Sequence, residues 1–583
     1  MRSFFKIFFA SLLAIFIFCL IGVFVLFGIA GSLATKQKPQ VSEKSVLLLD
    51  LRQQLKEQEE NDPLNELTSS DANAPGLYDV VRVLRHAKDD KKISGIYITG
   101  DGNANGYAAS NELRAAILDF KTSKKFVIAY ADNLTQGSFF VANTADKIYV
   151  NPVGNIDWSG FNADIPFLKG TLDKLEIQPQ IFFAGKFKSA TEPFRTDKMT
   201  IENKLQTSEW LNDLYRYFLN KASETRKLDT ATLHQLANTG AVQTPQDALR
   251  YKLIDGVKYD DEVKDEIKKR LGIGKKDKLN YISLSKYVEA SSFKKTGKDK
   301  IAVIYAEGDI IDGEGTSSNI GGDRFRKVIR KLRLDESIKA IVLRINSGGG
   351  SALASENMWR ELSLAKKDKP LVVSFGDVAA SGGYYIACAA DSIFASPNTI
   401  TGSIGVFTLM PNMQNFFKNK LGITFDGVKT AEYADAGAVY RPLNEMEKKF
   451  VQTSVDRIYL QFKQRVATGR KKDIVYVDSI AQGRVWSGED ALQNGLVDKI
   501  GGLQQAIDCA ARMAKTNNYR LREYPESSGF LQRLLNRASS NDPSAKIKEQ
   551  IGAENYIVFQ ELMRVKQLCG SAQARLPFQF FIR

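Results

Sequence analysis

Three short segments carry residues that could do covalent chemistry. The first is Asp377-Val378-Ala379-Ala380-Ser381-Gly382-Gly383-Tyr384-Tyr385. Its serine falls between a predicted buried strand, Leu371 to Phe375, and a predicted helix, Tyr384 to Ala390. A serine at a helix N-terminus feels the positive end of the peptide dipoles, which favours developing negative charge. Gly382 and Gly383 would let a substrate approach the backbone closely. The same pattern also suits an N-cap serine in a glycine-rich turn, so the segment alone leaves nucleophile and cap both open. The second segment, Arg344-Ile345-Asn346-Ser347-Gly348-Gly349-Gly350-Ser351, again lies between a strand and a helix. Such a loop offers free backbone N–H groups to an oxyanion or a phosphate. It lacks the Walker lysine and the GxGxxG spacing, so nucleotide binding is the weaker option.

A nucleophilic serine needs a base. The chain has only two histidines, His86 and His234, both in polar, helical-looking surroundings far from the glycine-rich turns. A Ser-His-Asp triad is therefore disfavoured. A lysine can replace histidine if burial keeps it uncharged. The candidate is Lys188, in Gly185-Lys186-Phe187-Lys188-Ser189-Ala190-Thr191-Glu192-Pro193-Phe194, where small and aromatic neighbours could exclude water. Among 81 basic residues, a solvated surface lysine remains the competing reading.

The elements that must position these residues form a duplication. Asp132 to Phe140 aligns with Asp377 to Tyr385 at an offset of roughly 245 residues, and Gln136 falls where Ser381 stands. Ala145 to Tyr149 matches Ala390 to Phe394, and Gly240 to Leu249 matches Gly483 to Leu492. Thr99-Gly100-Asp101-Gly102-Asn103 is a degraded counterpart of the second glycine-rich loop. The matching blocks keep their order, at a period the size of a domain rather than a solenoid repeat. The first copy thus holds the lysine without the serine, and the second the serine without the lysine. One shared site per pair of copies follows.

Within each copy, strands alternate with helices. Ile93 to Ile98 and Phe126 to Tyr130 read as buried strands, as do Ile301 to Tyr305, Ala340 to Ile345 and Leu371 to Phe375. Parallel βαβ units and an α/β class are expected. The boundaries read as 1–44, membrane anchor and polar linker; 45–257, first repeat; 258–300, lysine-rich linker; 301–522, second repeat; and 523–583, a C-terminal tail of unreadable role.

The N-terminus is the clearest physical signal. Phe8 to Ala30 is uncharged and predominantly apolar, and Arg2, Lys6, Lys36 and Lys38 flank it. It is long enough to cross a bilayer core as a helix, so a retained anchor is favoured over a cleaved signal. Apolar content of 43% and charged content of 25% fit ordinary globular domains for the rest. The net charge of +14 is spread along the chain. Its densest lysine run, Lys264 to Lys300, contains acids too and reads as a solvated face rather than a nucleic-acid site. The four cysteines, Cys19, Cys388, Cys509 and Cys569, show no CxxC spacing, so no zinc or redox pair and no cofactor is expected.

Taken together, Arg344 to Ser351, Asp377 to Tyr385, Thr401-Gly402-Ser403-Ile404-Gly405 and Lys188 to Phe194 resemble the signal peptide peptidase A family in its long, tandem-repeat form. The resemblance spans roughly residues 45 to 520 plus the anchor. It implies tandem Clp-protease/crotonase-like domains and a serine–lysine dyad. It also implies a membrane-anchored homo-oligomer, a tetramer, on the periplasmic face of a bacterial inner membrane, degrading hydrophobic peptides such as cleaved signal peptides. By residue match Ser381 is the nucleophile, Lys188 the base and Ser403 its orienting partner. Gly349 or Gly350, with Gly382, would supply the oxyanion hole. Gly348 stands where the family has proline, which leaves open which glycine turns its N–H inward. Two other readings suit the scaffold: a crotonase-like acyl-thioester enzyme, which usually works through carboxylates, and a non-catalytic membrane scaffold.

Overall fold

A computed structural model of the protein describes residues 2–34, 39–59, 75–316, 318–526 and 571–576. In the first repeat, six strands are introduced in chain order. They are β1 (Ser45–Asp50), β2 (Ile93–Thr99), β3 (Phe126–Leu134), β4 (Lys147–Ile156), then β6 (Gly256–Val257) and β7 (Tyr281–Ser283), with β5 (Gln178–Ala184) leaving the sheet between them. They form one parallel sheet in the order β6-β4-β3-β2-β1-β7. The second repeat supplies β8 (Asp299–Glu307), β11 (Ile338–Ser347), β13 (Leu371–Ala380), β14 (Ser392–Ala395), β18 (Lys499–Ile500) and β19 (Tyr519–Tyr524). Their order, β18-β14-β13-β11-β8-β19, is the same arrangement, again all parallel. Both faces of each sheet are covered, which is why the strands read as unbroken apolar runs instead of alternating ones. The sheets share a core: Leu47, Ile96 and Val127 of one belong to the same buried cluster as Val303, Val342 and Val372 of the other.

The matching strand order redraws two expected boundaries. The lysine-rich segment 258–300 is no bare linker, because helix Asp260–Leu271 and β7 close the first sheet as helix Leu503–Met513 and β19 close the second. Val263, Ile267 and Leu271, four residues apart, are buried against Val46, Tyr97 and Ile128, with the lysines on the other face. The charge of the segment hid this narrow apolar stripe. Likewise the expected tail start at 523 falls inside β19, which pairs with β8 through Tyr524.

A third sheet joins the repeats. It contains β5 from the first copy and, from the second, β9 (Ile310–Ile311), β10 (Ile320–Gly321), β12 (Gly349–Ser351) and β16 (Val406–Asn412). A C-terminal strand, β20 (Gln573–Arg575), completes the order β10-β9-β12-β20-β16-β5. β5 pairs antiparallel with β16 from Val406–Ala184 to Asn412–Gln178. Lys188 follows directly on β5, so this pairing carries the first repeat's lysine to the second repeat.

Two buried polar contacts lock the repeats in register. Arg344, completely buried, binds Glu57 (Nε–Oε2 2.8 Å) and forms an ion pair with Glu112 (Nη2–Oε1 2.6 Å), both from the first repeat. It also donates to Ser374 Oγ (2.9 Å) and the Phe375 carbonyl (2.7 Å). Burial pushes the Glu57 carboxyl up to about 7 against the pull of Arg344. Asp377 accepts N–H bonds from Ala108 (2.8 Å) and Ala109 (3.1 Å), capping helix Tyr107–Lys121 across the repeat boundary. Outside this body, helix Arg2–Ala34 contains a 19-residue stretch, Phe4–Gly22, of mean hydropathy 2.6 with no part buried in protein.

Arg344→Leu should lower the unfolding free energy by about 3–5 kcal/mol, because it strands two carboxylates in the interior. Combining it with Glu57→Leu and Glu112→Leu should restore most of the lost thermal midpoint, a rescue that a simple packing defect would not give.

Candidate active site

Ser381 ends β13 and begins helix Gly382–Ala387. Its backbone is strained, with φ +54° and ψ −115°, a conformation costing about 1–3 kcal/mol in a non-glycine residue. Neighbouring strand β15 (Ile400–Gly402) holds it there: Ser381 N–H donates to the Gly402 carbonyl (2.8 Å), and Thr401 Oγ1 donates to the Ala379 carbonyl (2.6 Å). The serine stands at the N-cap position, yet its hydroxyl makes no capping bond. It is fully buried, with Oγ 2.9 Å from Lys188 Nζ.

Lys188 is fixed from both repeats. The Phe187 N–H donates to the Gln482 carbonyl (2.8 Å), and the Lys188 N–H to the Gly185 carbonyl (3.0 Å). Gln206, buried on helix Ile201–Arg226, donates to the Phe187 carbonyl (3.1 Å) and Ser189 Oγ (2.9 Å), and accepts from the Val485 N–H (3.1 Å). Glu192, four residues on, is held by Thr200 Oγ1 (2.6 Å) and Asn203 Nδ2 (2.8 Å). Gly483, at φ +75°, makes the room: a methyl there would stand 2.7 Å from Lys188 Cβ.

The lysine head touches Ser381 Oγ, Ser403 Oγ (3.0 Å) and the Ser403 carbonyl (3.2 Å). Ser403 is itself held at φ +50°, with its N–H on the Arg484 carbonyl (2.7 Å). Burial alone drives the Lys188 pKa well below its ordinary 10.5, and no carboxylate offsets the shift. An uncharged amine has two N–H donors and one lone pair. The two donors match the two Ser403 oxygens, and the lone pair is left for the proton of Ser381 Oγ. Such a group can act as a general base.

The glycine-rich loop runs beside Ser381. The Gly349 N–H is directed to Ser347 Oγ (3.1 Å), which donates in turn to the Gly308 carbonyl (2.6 Å). Gly350 faces the neighbouring strand position. Its opposite there is Ala574 of β20, whose carbonyl oxygen would lie 2.1 Å from a methyl at Gly349 and 2.9 Å from one at Gly382. A carbonyl oxygen is therefore already seated between the loop and the residue after Ser381.

The first repeat has no such opening. Gln136, in the position of Ser381, donates to the Gly160 carbonyl (2.8 Å) and accepts from the Gly160 N–H (3.0 Å), so it pins a loop instead of facing a substrate. His86 and His234 are both exposed, and His234 contacts only Tyr215 OH (Nδ1–O 3.4 Å) among hydrogen-bonding groups in the described residues. All the residues expected at the site, Lys188, Ser381, Ser403, Gly349, Gly350 and Gly382, lie in this one neighbourhood. Sequence reasoning missed Gln206, Gly483 and β20. Gln206 sits with Asn203 and Thr207 in the polar first turns of helix Ile201–Arg226, before its buried apolar residues begin at Trp210. Gly483 was visible only as the start of a repeat block.

The family model for Peptidase family S49 matches twice, over residues 119–274 and 363–517. The chain belongs to peptidase family S49. The two S49 matches begin 244 residues apart, at 119 and 363, the spacing of the internal repeat. "Protease 4" of Haemophilus influenzae is 37% identical over 507 residues, covering 83% of this chain and 82% of that one. "Serine protease SPPA, chloroplastic" of Arabidopsis thaliana is 33% identical over 486 residues, covering 82% and 70%. A "Putative signal peptide peptidase SppA" of Enterococcus faecium is 33% identical over 239 residues, covering 39% of this chain and 69% of that one. Among solved structures, ClpP1 from Listeria monocytogenes is 16% identical, covers 34% of this chain and 91% of that one, and has a TM-score of 0.23. As an S49 protein with two family domains, this is a serine peptidase.

Two measurements probe the geometry. Peptidase turnover should rise with pH along one ionisation well below 10.5, as Lys188 loses its proton. Lys188 is charged in the unfolded chain below 10.5 but uncharged when folded, so its burial costs stability as pH falls from 10.5 to its folded pKa. Lys188→Met should therefore raise the thermal midpoint across that window, with the gain vanishing above it. Gly483→Val, which forces a side chain against Lys188 Cβ, should cost activity about tenfold or more while leaving circular dichroism unchanged.

Proposed function

We propose that this protein is a membrane-anchored endopeptidase in which Lys188 activates Ser381 to cleave extended apolar peptides, including signal peptides left in the bilayer. The observation that carries the reading is the 2.9 Å approach of the buried Lys188 amine to a serine held in a strained turn. Neutral Lys188 takes the proton as Ser381 Oγ attacks the scissile carbonyl. The N–H groups of Gly350 and Gly382 stabilise the oxyanion, with Gly349 shaping the loop around Ser347. Protonated Lys188 then gives its proton to the leaving amine, and water activated by the same lysine hydrolyses the acyl-enzyme. Ser403 keeps the amine aimed at Ser381 throughout.

The substrate class draws on three supports. One relative, from Enterococcus faecium, bears the name "Putative signal peptide peptidase SppA". The apolar helix Phe4–Gly22 would tether the site beside a bilayer. The slot between β12 and β16 accepts an extended backbone. In this reading the anchor is retained, the peptidase body lies on the extracytoplasmic side of a bacterial inner membrane, and the protein works as a homo-oligomer, a tetramer.

Ser381→Ala and Lys188→Ala should each reduce hydrolysis of an apolar peptide by about 10³-fold or more while the circular dichroism spectrum stays that of the folded protein. Ser403→Ala should cost less, about 10- to 100-fold, since the Ser403 carbonyl still meets the amine. Residual turnover near wild type in either of the first two would remove that residue from the dyad.

A further inference from the structure

One side chain outside the reacting groups meets the segments that hold them. Arg484 lies in the turn before β17 (Val485–Ser487), the strand that pairs antiparallel with β15. Its carbonyl accepts the Ser403 N–H (2.7 Å). The same oxygen would lie 2.9 Å from a methyl at Gly402, the residue whose own carbonyl holds the Ser381 N–H. The Arg484 guanidinium lies over the Trp486 ring (4.1 Å to the centroid) and the Phe187 ring (5.2 Å), and it pairs with Glu209 of helix Ile201–Arg226. Phe187 and Glu209 belong to the first repeat and Trp486 to the second, and Phe187 is the residue before Lys188. The Arg484 Nε is buried with no hydrogen-bond partner among the described residues. The planar group is thus placed by two rings and one carboxylate rather than by a full set of hydrogen bonds. Trp486 is fixed in turn, its indole N–H on the Ile480 carbonyl (2.9 Å) and its ring edge against Gly402, where a methyl would stand 2.7 Å from Cδ1.

Two observations give this stack a purpose. In the first repeat, Ala241 and Gln243 stand where the second has Arg484 and Trp486. The preceding glycine has a positive φ in both, +59° at Gly240 and +75° at Gly483. The copy without a nucleophile therefore keeps the turn and lacks the stack. Second, Glu209, Arg484 and Trp486 line an open cavity of about 410 Å³ at the repeat boundary, with Asp213, Arg216 and Asp490. Arg484 borders that cavity and also covers the Phe187 ring, and Phe187 and Lys188 are only 7% and 1% exposed.

We propose that Arg484 is a positioning residue for the Ser381–Lys188 pair: stacked between Phe187 and Trp486, its side chain holds the lysine-bearing segment on the Ser403 turn and closes the cavity off from the amine. The proposal rests on the Ser381–Lys188 reading. Arg484 acts through Phe187 and Ser403. Without its side chain, solvent gains a path to Lys188, whose lowered pKa comes from burial, and Glu209 loses its partner. Hydration and a freed carboxylate both favour the charged amine, so both raise the pKa toward 10.5 and leave less of the base at a given pH. The other charged groups on the surrounding elements are engaged elsewhere. Lys186 is exposed, Glu192 is held by Thr200 and Asn203, and Asp377 of β13 is held by Ala108 and Ala109.

Full-length wild type, Arg484→Ala, Arg484→Lys and Lys188→Ala are purified in detergent, and kcat and KM for an apolar peptide are measured across the pH range in which each stays folded by circular dichroism. Arg484→Ala should lower kcat about tenfold or more near neutral pH, with KM within about twofold. Its ionisation in kcat should move up by about one pH unit or more, so that the loss shrinks as pH rises. Arg484→Lys, whose stem still covers apolar surface and whose ammonium can still meet Glu209, should fall between the two in both rate and midpoint. An Arg484→Ala protein with the wild-type kcat and midpoint overturns this proposal alone. So does a kcat lowered equally at every pH, which marks a merely structural role. If Arg484→Ala does not fold, Arg484→Lys is read by the same two criteria. A wild type that leaves the peptide intact, or a Lys188→Ala protein as active as wild type, overturns the proposal together with the dyad.

Discussion

The arrangement depends on one unfavourable act, the burial of a lysine amine without a counter-charge. A charged ammonium cannot remain there cheaply. The amine escapes the cost by losing its proton, and an uncharged amine beside a hydroxyl is a base. Burial and reactivity are therefore the same fact. A carboxylate within reach would stabilise the charged form and remove the basicity, and Lys188 is instead met by a hydroxyl and a carbonyl of Ser403. The buried charge cluster of Arg344 with Glu57 and Glu112 satisfies itself within the repeat interface.

Holding such a group in place demands rigidity from both copies. The lysine comes from the end of β5 and its nearest oxygens from β13 and the turn after β15. A one-residue slip between β5 and β16 would turn alternate side chains to the opposite face and carry Lys188 away. Seven registered pairs, the Arg344 cluster and the Asp377 cap on helix Tyr107–Lys121 all oppose that slip. The strained Ser381 and Ser403 turns persist because β15 and the Gly483–Arg484 turn over-determine them.

Much of this could be read from the chain. The duplication, the unequal chemistry of its copies and the serine and lysine were visible as residue types at matched positions. The central strands were visible as apolar runs. What could not be read has a common physical cause. Helix Asp260–Leu271 contributes only three apolar contacts on one face, and its lysines dominate any composition-based reading. Gln206 acts through two buried hydrogen bonds to a segment 17 to 19 residues earlier. Gly483 acts through the absence of a side chain. β20 is three residues long and owes its conformation to the strands on either side. The last three leave no periodic pattern, since each depends on where a distant segment folds.

β20 also explains how the third sheet can contain a substrate slot and still be continuous. Without an occupant, β12 and β16 would each present an unpaired edge facing the other, and exposed edges recruit strands. Any extended peptide satisfies the same backbone groups, so affinity from the main chain cannot distinguish the chain's own residues 573–575 from a foreign segment. Selection must then come from side chains. The present occupant places alanine at the enclosed position beside Ser381, arginine against Asp309 and leucine in the apolar cluster at the repeat boundary. A peptide that displaces it needs a small residue at the first of these positions and an apolar one two residues later. A hydrophobic segment lacking a small residue would pair along the edges yet hold its carbonyl away from Gly350, binding without being cut.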